Sequence, residues 1–218
     1  PQMVYYVWAA LRLVAEGRTP PRFAVPCGNF GNLVAGLVAA QGGAPLGRFV
    51  LATNANDEVP RFLATGRYEP LRPSRECLSN AMNVGHPSNL ARLVALFGGA
   101  MSAAGEVWHA PDFAALRASL DGVAIDDDTT LATIREVHVR HGVLLEPHGA
   151  VAWAGLDVLE REEGASSACA VVLETAHPAK FPDAVARATG VEPALPPSLD
   201  GLDALPEAYE TLAPELDA

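Results

Sequence analysis

Five consecutive residues, Gly28-Asn29-Phe30-Gly31-Asn32, are the part of this chain whose types and spacing most directly suggest chemistry. They separate an apolar run, Arg22 to Cys27, from a run of small residues, Leu33 to Gln41, and so fall at a strand-to-helix turn. Free backbone amides and the positive end of a helix dipole meet at such a turn, and together they favour a bound phosphate. The two glycines allow the backbone to approach an oxyanion closely. There is no Lys-Ser or Lys-Thr pair, which excludes a nucleotide P-loop, and the spacing of a dinucleotide fingerprint is missing. Alone, the turn reads more readily as a connection than as a site.

Other residues offer chemistry with a plainer alternative beside it. Ser79-Asn80-Ala81-Met82-Asn83 is dense in amides and a hydroxyl; it suits either orientation of a small zwitterion or a loop satisfying its own backbone. Glu136, His138 and His141 share one helix, but the order of a His-Glu-x-x-His metal site is absent, so surface or packed histidines are the expectation. Cys27 follows a strand as a nucleophile would; with no nameable base, it reads as a small residue packed beneath the loop. Lys180 is the sole lysine of the chain, set in His177-Pro178-Ala179-Lys180-Phe181-Pro182, where a helix start is expected.

The elements that position these residues alternate. An apolar helix opens the chain through Val4, Trp8, Leu11 and Leu13. Arg22 to Cys27, Arg48 to Thr53 and Ala168 to Leu173 read as strands. Each strand ends in polar residues, at Gly28-Asn29, Thr53-Asn54 and Thr175-Ala176-His177. Strand, polar loop and helix in succession predict a parallel α/β sheet, in which ligands bind outside the carboxyl ends of strands. Ser88 is the expected cap of a helix bearing Leu90, Leu93, Val94 and Phe97. Asp128 is the expected cap of one bearing Leu131, Ile134 and His138 that stops at Gly142, and Ala150 to Leu159 reads as a buried helix.

Composition narrows the possibilities further. Half of the 218 residues are hydrophobic and 19% are charged, which suits one sizeable core. A net charge of −11 without a basic stripe argues against a nucleic-acid partner. Apolar runs are interrupted at Arg12, Gln41 and Asp157, arguing against a membrane span, and no signal-peptide pattern is present. Three cysteines without paired spacing suit a reducing, cytoplasmic compartment. The start at Pro1 within an apolar helix leads us to expect a piece of a longer protein. Residues 1–190 are expected to form the catalytic region and 191–218 a Pro- and acid-rich tail that wraps the surface or frays. Oligomeric state leaves no signal.

Four stretches, in order, resemble the threonine synthase family. They are Pro26-Cys27-Gly28-Asn29-Phe30-Gly31-Asn32; Thr53-Asn54-Ala55-Asn56-Asp57-Glu58-Val59-Pro60-Arg61-Phe62-Leu63; Leu78-Ser79-Asn80-Ala81-Met82-Asn83-Val84; and Leu173-Glu174-Thr175-Ala176-His177-Pro178-Ala179-Lys180-Phe181. Asn83 stands where the family usually has Asp, Cys27 where Ser or Thr is common, and Asn32 where many members have Asp. The resemblance is to the carboxy-terminal portion.

It implies a parallel-sheet, fold type II pyridoxal phosphate enzyme, akin to the tryptophan synthase β subunit and truncated at its amino end. It also implies a carbon–oxygen lyase of threonine biosynthesis that converts O-phospho-L-homoserine and water to L-threonine and phosphate. Gly28, Asn29, Phe30, Gly31 and Asn32 would then hold the phosphate of pyridoxal 5'-phosphate through backbone amides. Thr175 would meet the pyridine nitrogen, and Ser79, Asn80 and Asn83 would meet substrate. The Schiff-base lysine of the family belongs to a segment upstream of Pro1 and Lys180 to a different position, which leaves this chain inactive alone. Two alternatives are another fold type II enzyme, such as a serine or threonine dehydratase, and a non-catalytic phosphate-binding module. A dehydratase would normally cradle phosphate with a run of glycines, unlike Asn29-Phe30.

Overall fold

The computed structural model describes residues 1–164 and 169–211. Among these, the strands are β1 (Arg22–Pro26), β2 (Phe49–Thr53), β3 (Ala100–Met101), β4 (Val107–His109), β5 (Leu120–Ala124) and β6 (Ala170–Val172). The α-helices are α1 (Met3–Ala15), α2 (Gly31–Gln41), α3 (Glu58–Thr65), α4 (Leu90–Leu96), α5 (Phe113–Ser119), α6 (Asp127–His141), α7 (Pro147–Glu163) and α8 (Pro182–Thr189).

Four strands form one parallel sheet in the order β5-β2-β1-β6, as the alternating pattern predicts. The pairs Val25↔Leu51 and Ala52↔Val123 fix its register. β3 and β4 make a separate antiparallel pair.

Side chains alternate across a strand, and here the alternation sorts them by size. Phe23, Val25, Phe49 and Leu51 point into one core with Tyr6 of α1, Leu33 and Leu37 of α2, Phe62 of α3 and Leu93 of α4. Ala24, Val50 and Ala52 face α7 instead. On the aromatic side, Tyr6 meets Phe23 and Phe49 at ring-centroid distances of 4.9 and 5.9 Å. On the α7 side, a Cβ at Gly155 would lie 2.9 Å from the Ala52 Cβ and 2.9 Å from Val123 Cγ1, so this helix is seated by small residues. α6 and α8 pack outside it through Leu131, Ile134, Ala150 and Ala188.

Several expected boundaries move, each for a local reason. Asp126, not Asp128, caps α6, its carboxylate accepting the Thr129 amide at 2.8 Å. Ser88 does not cap α4; the N-cap is Asn89, and Ser88 is bonded to Asn29 instead. α7 starts at Pro147, three residues before the expected Ala150, because Glu146 caps it and proline suits its first turn. β5 was unexpected: Leu120-Asp121-Gly122-Val123-Ala124 is short and mixed in polarity. The expected strand start, Ala168, and tail residues 212–218 lie outside the described residues. Residues 191–211 carry two short 3-10 turns, Pro197–Leu199 and Leu202–Ala204.

Candidate active site

At the carboxyl end of β1 the chain turns through Gly28-Asn29-Phe30 into α2. Phe30 is the one described non-glycine residue with positive φ, at 65°. A left-handed conformation costs a side-chain-bearing residue about 1–2 kcal/mol. Burying the phenyl ring, 3% exposed in the main core, supplies about 2–3 kcal/mol and outweighs it. The anchored ring thus holds the backbone in a shape otherwise left to glycine.

The result is an open helix end. α5, α6 and α7 begin with carboxylates, Asp112, Asp126 and Glu146, that accept first-turn amides. α2 has no side-chain cap. Among the described residues, none of the backbone amides of 28–33 donates to a protein acceptor. Unpaired first-turn amides with an aligned dipole are what an anion requires.

The side chains of the turn hold it in place. Asn29 Oδ1 accepts the Ser88 amide at 3.2 Å, and its carbonyl accepts Asn89 Nδ2 at 2.9 Å. Asn32 Oδ1 accepts the Tyr6 hydroxyl at 2.7 Å and also that of Tyr5, tying α1 to the loop. Gly28 lies under the neighbouring Asn80–Met82 turn: a Cβ there would sit 2.8 Å from the Ala81 carbonyl oxygen and 3.0 Å from Met82 Cα. Its role is close backbone approach, but to protein as well as to any ligand.

A cleft of about 320 Å³ lies above this turn, lined by residues 28–32, Ala81, Met82, Asn89, His148 and Thr175. The ends of β1 and β6 therefore share one crevice. The end of β2 does not open into it. Thr53 and Asn54 are buried, and Asn54 Nδ2 donates to the Ser79 carbonyl, to Ser79 Oγ and to Asn83 Oδ1 at 3.3, 3.2 and 3.0 Å. Asn83 Oδ1 also accepts the Cys77 amide. Ser79 and Asn83 are thus engaged by Asn54 and Cys77, whereas Asn80 is exposed. Lys180 is exposed on a 3-10 turn, Pro178–Lys180, and does not line the cleft.

One pair escaped the sequence reading. Glu146 and His148 are buried at the start of α7, and the Glu146 carboxylate bonds to the ring Nδ1 of His148 as well as to the amides of His148 and Gly149 at 2.9 Å. Burial pushes the Glu146 carboxyl up, but these hydrogen bonds outweigh it and hold it below the ordinary value. Glu174, which precedes Thr175, accepts the Glu146 amide at 2.8 Å. Although exposed as a residue, its carboxyl presses against Gly149, and burial, with the charge of Glu146 nearby, pushes it up to about 7. The available signal was Glu146-Pro147, an acidic cap before a first-turn proline.

The remaining candidates take plain roles. Cys27 is buried, donates toward the Val25 carbonyl, and has its thiol pushed up by burial. Glu136 pairs with Arg140 at 2.8 Å, and His141 packs on Trp153.

Comparison with known proteins agrees with this geometry. A family described as "Pyridoxal-phosphate dependent enzyme" matches residues 2–175, and one described as "Threonine synthase, C-terminal" matches residues 149–218. A threonine synthase of Serratia marcescens is 39% identical over 97% of this chain and 45% of its own length. The pyridoxal-phosphate-bound threonine synthase of Brucella melitensis superposes with a TM-score of 0.83 at 38% identity, covering 97% of this chain and 47% of that one. Yeast threonine synthase gives 0.82 at 26% identity, over 94% of this chain and 47% of its own. The chain spans about half the length of these relatives.

Proposed function

Because the chain belongs to the pyridoxal-phosphate dependent enzymes, we propose that it forms the carboxy-terminal portion of a threonine synthase, which converts O-phospho-L-homoserine and water to L-threonine and phosphate. The observation that carries this reading is the uncapped end of α2, whose amides have no protein acceptor among the described residues, facing Thr175 across one cleft. An unpartnered set of donors suits the phosphate of pyridoxal 5'-phosphate, so the residues present fit the group. When bound, the cofactor supplies an electron sink for carbanion chemistry on the amino acid.

The rest falls to the chain itself. Residues 28–32 bind the phosphate through backbone amides, so their chemistry depends on loop shape more than on side-chain identity. Thr175, which lines the cleft, would offer its neutral hydroxyl to the pyridine nitrogen, a partner that would leave that nitrogen largely unprotonated. Asn80, exposed at the cleft turn, meets substrate, while Ser79 and Asn83 hold the turn that presents it. Lys180 does not line the cleft, so on this reading the lysine that carries the cofactor comes from outside this chain. Three free cysteines suit a cytoplasmic enzyme.

The test is a whole-protein assay with pyridoxal phosphate and O-phospho-L-homoserine. Threonine and phosphate appearing in equal amounts support the reading. Turnover of L-serine to ammonia and pyruvate, with no threonine from the phosphate ester, would move the protein to the dehydratases.

A further inference from the structure

Glu146 and His148 belong to none of the stretches that carry the family resemblance, and no step above employs them. We propose that they are positioning residues of the cleft: the Glu146 carboxylate fixes the His148 imidazole with its proton on Nδ1, so that Nε2 accepts the Ala81 amide and holds the Asn80–Met82 turn against Gly28. The inference rests on reading the cleft as the cofactor site.

Two constraints select the same tautomer. Nδ1 faces a carboxylate oxygen, which only accepts, so Nδ1 carries hydrogen. Nε2 lies 3.2 Å from the Ala81 nitrogen, which only donates, so Nε2 carries a lone pair. The carboxylate cannot turn away, because the His148 and Gly149 amides hold its two oxygens and the residue is fully buried. The imidazole is 4% exposed, with the Phe181 ring edge-on at 5.1 Å.

What the pair holds is the wall of the cleft. Met82 and Asn83 donate to Ser79 and Asn80 within the turn itself, and Asn54 secures its two ends through Ser79 and Asn83. The central amide, that of Ala81, is secured by His148 alone among the described residues. Directly beneath it the Ala81 carbonyl packs on Gly28. A loosened Ala81 therefore loosens the partner surface of the phosphate loop.

Nitrogen-15 spectra of the holoenzyme test the tautomer directly, the His148 signals being assigned by their loss in His148→Gln. A protonated Nδ1 with an unprotonated Nε2 is expected; protonated Nε2 overturns the proposal. Amide exchange of segment 79–83 tests the coupling. His148→Leu removes the acceptor, and Glu146→Leu removes the carboxylate that fixes the proton on Nδ1, so both should speed exchange about tenfold, the weight of one hydrogen bond. His148→Gln retains an acceptor and should stay within about threefold of the parent. Unchanged exchange in His148→Leu, or no rescue by His148→Gln, overturns the proposal. Neither readout requires turnover. The expected tautomer and exchange in a protein that makes no threonine would remove the functional reading and leave the positioning role; threonine production with protonated Nε2 would do the reverse.

Discussion

Alanine at Gly28 and alanine at Gly31 should have opposite effects, although the two glycines belong to one loop. At Gly28 the new methyl would meet the Ala81 carbonyl oxygen at 2.8 Å and Met82 Cα at 3.0 Å. Both are backbone atoms and cannot swing aside like the tip of a side chain. Reaching ordinary contact at 3.4 Å requires the loop and turn to part by about 0.6 Å. Overpacking of this kind costs about 1–3 kcal/mol. At Gly31 the methyl would meet only Asn89 Nδ2 at 3.5 Å and Gln2 Oε1 at 3.8 Å, at the first position of α2. Alanine in a helix is worth about 0.5–1 kcal/mol over glycine. Urea denaturation should place Gly28→Ala about 1–3 kcal/mol below the parent and Gly31→Ala level with it or above. Displacing the amides also weakens their hold on a phosphate, so cofactor retention, followed by absorbance during dialysis, should fall about tenfold in Gly28→Ala, the equivalent of about 1.4 kcal/mol. A Gly28→Ala protein within about 0.5 kcal/mol of the parent, or a Gly31→Ala protein that loses more than it, would refute the packing argument.

Other perturbations probe different parts of the frame. Burial pushes the Glu58 carboxyl from 4.5 up to about 7, so the folded state binds its proton more tightly than the unfolded chain, and stability falls as pH rises through that interval. Glu58→Gln should remove a share of that slope on the order of 3 kcal/mol at most, measured by denaturation at pH 5 and pH 8; an unchanged slope contradicts it. Glu174 titrates in the same interval with the same sign and should leave a residual slope. Asn54→Leu strands Ser79 and Asn83 without their donor and should cost about 2–4 kcal/mol, together with faster amide exchange in 79–83; a loss under about 1 kcal/mol would mean the loop holds itself. Asp112→Ala removes two bonds at the start of α5 and should cost about 1 kcal/mol with cofactor retention unchanged, so altered retention would refute the separation of this cap from the cleft.

The sheet was legible where burial on both faces leaves a continuous apolar run, as in Phe23-Ala24-Val25 and Phe49-Val50-Leu51. Edge strand β5 was not, because Gly122 and Ala124 are exposed and the half-buried Asp121, paired with Arg48, interrupts the apolar run. Gly28 to Asn32 could be recognised from residue types alone as a strand-to-helix turn, since an apolar run precedes the glycines and a run of small residues follows them. That Phe30, not a glycine, adopts the left-handed conformation was invisible; it depends on a core contact formed only in the folded chain. The same holds for Glu146 and His148, whose meaning comes from Ala81, 67 residues away. Ser79 and Asn83 had two equal readings on sequence, and it is Asn54, just beyond the end of β2, that engages their side chains.

The sorting of side chains by size across the sheet has a reach beyond packing. Gly155 sits against Ala52 and Val123, seven residues along α7 from His148, or roughly 10 Å along the helix axis. A helix seated on its neighbours by missing side chains has little freedom to slide, so this contact acts as a datum from which the far end of the rod is measured. A methyl added at Gly155 would push the rod off its seat and carry the imidazole with it. Site geometry is thereby written partly at a position no ligand touches, and variation there would retune the cleft while leaving all of its lining residues intact.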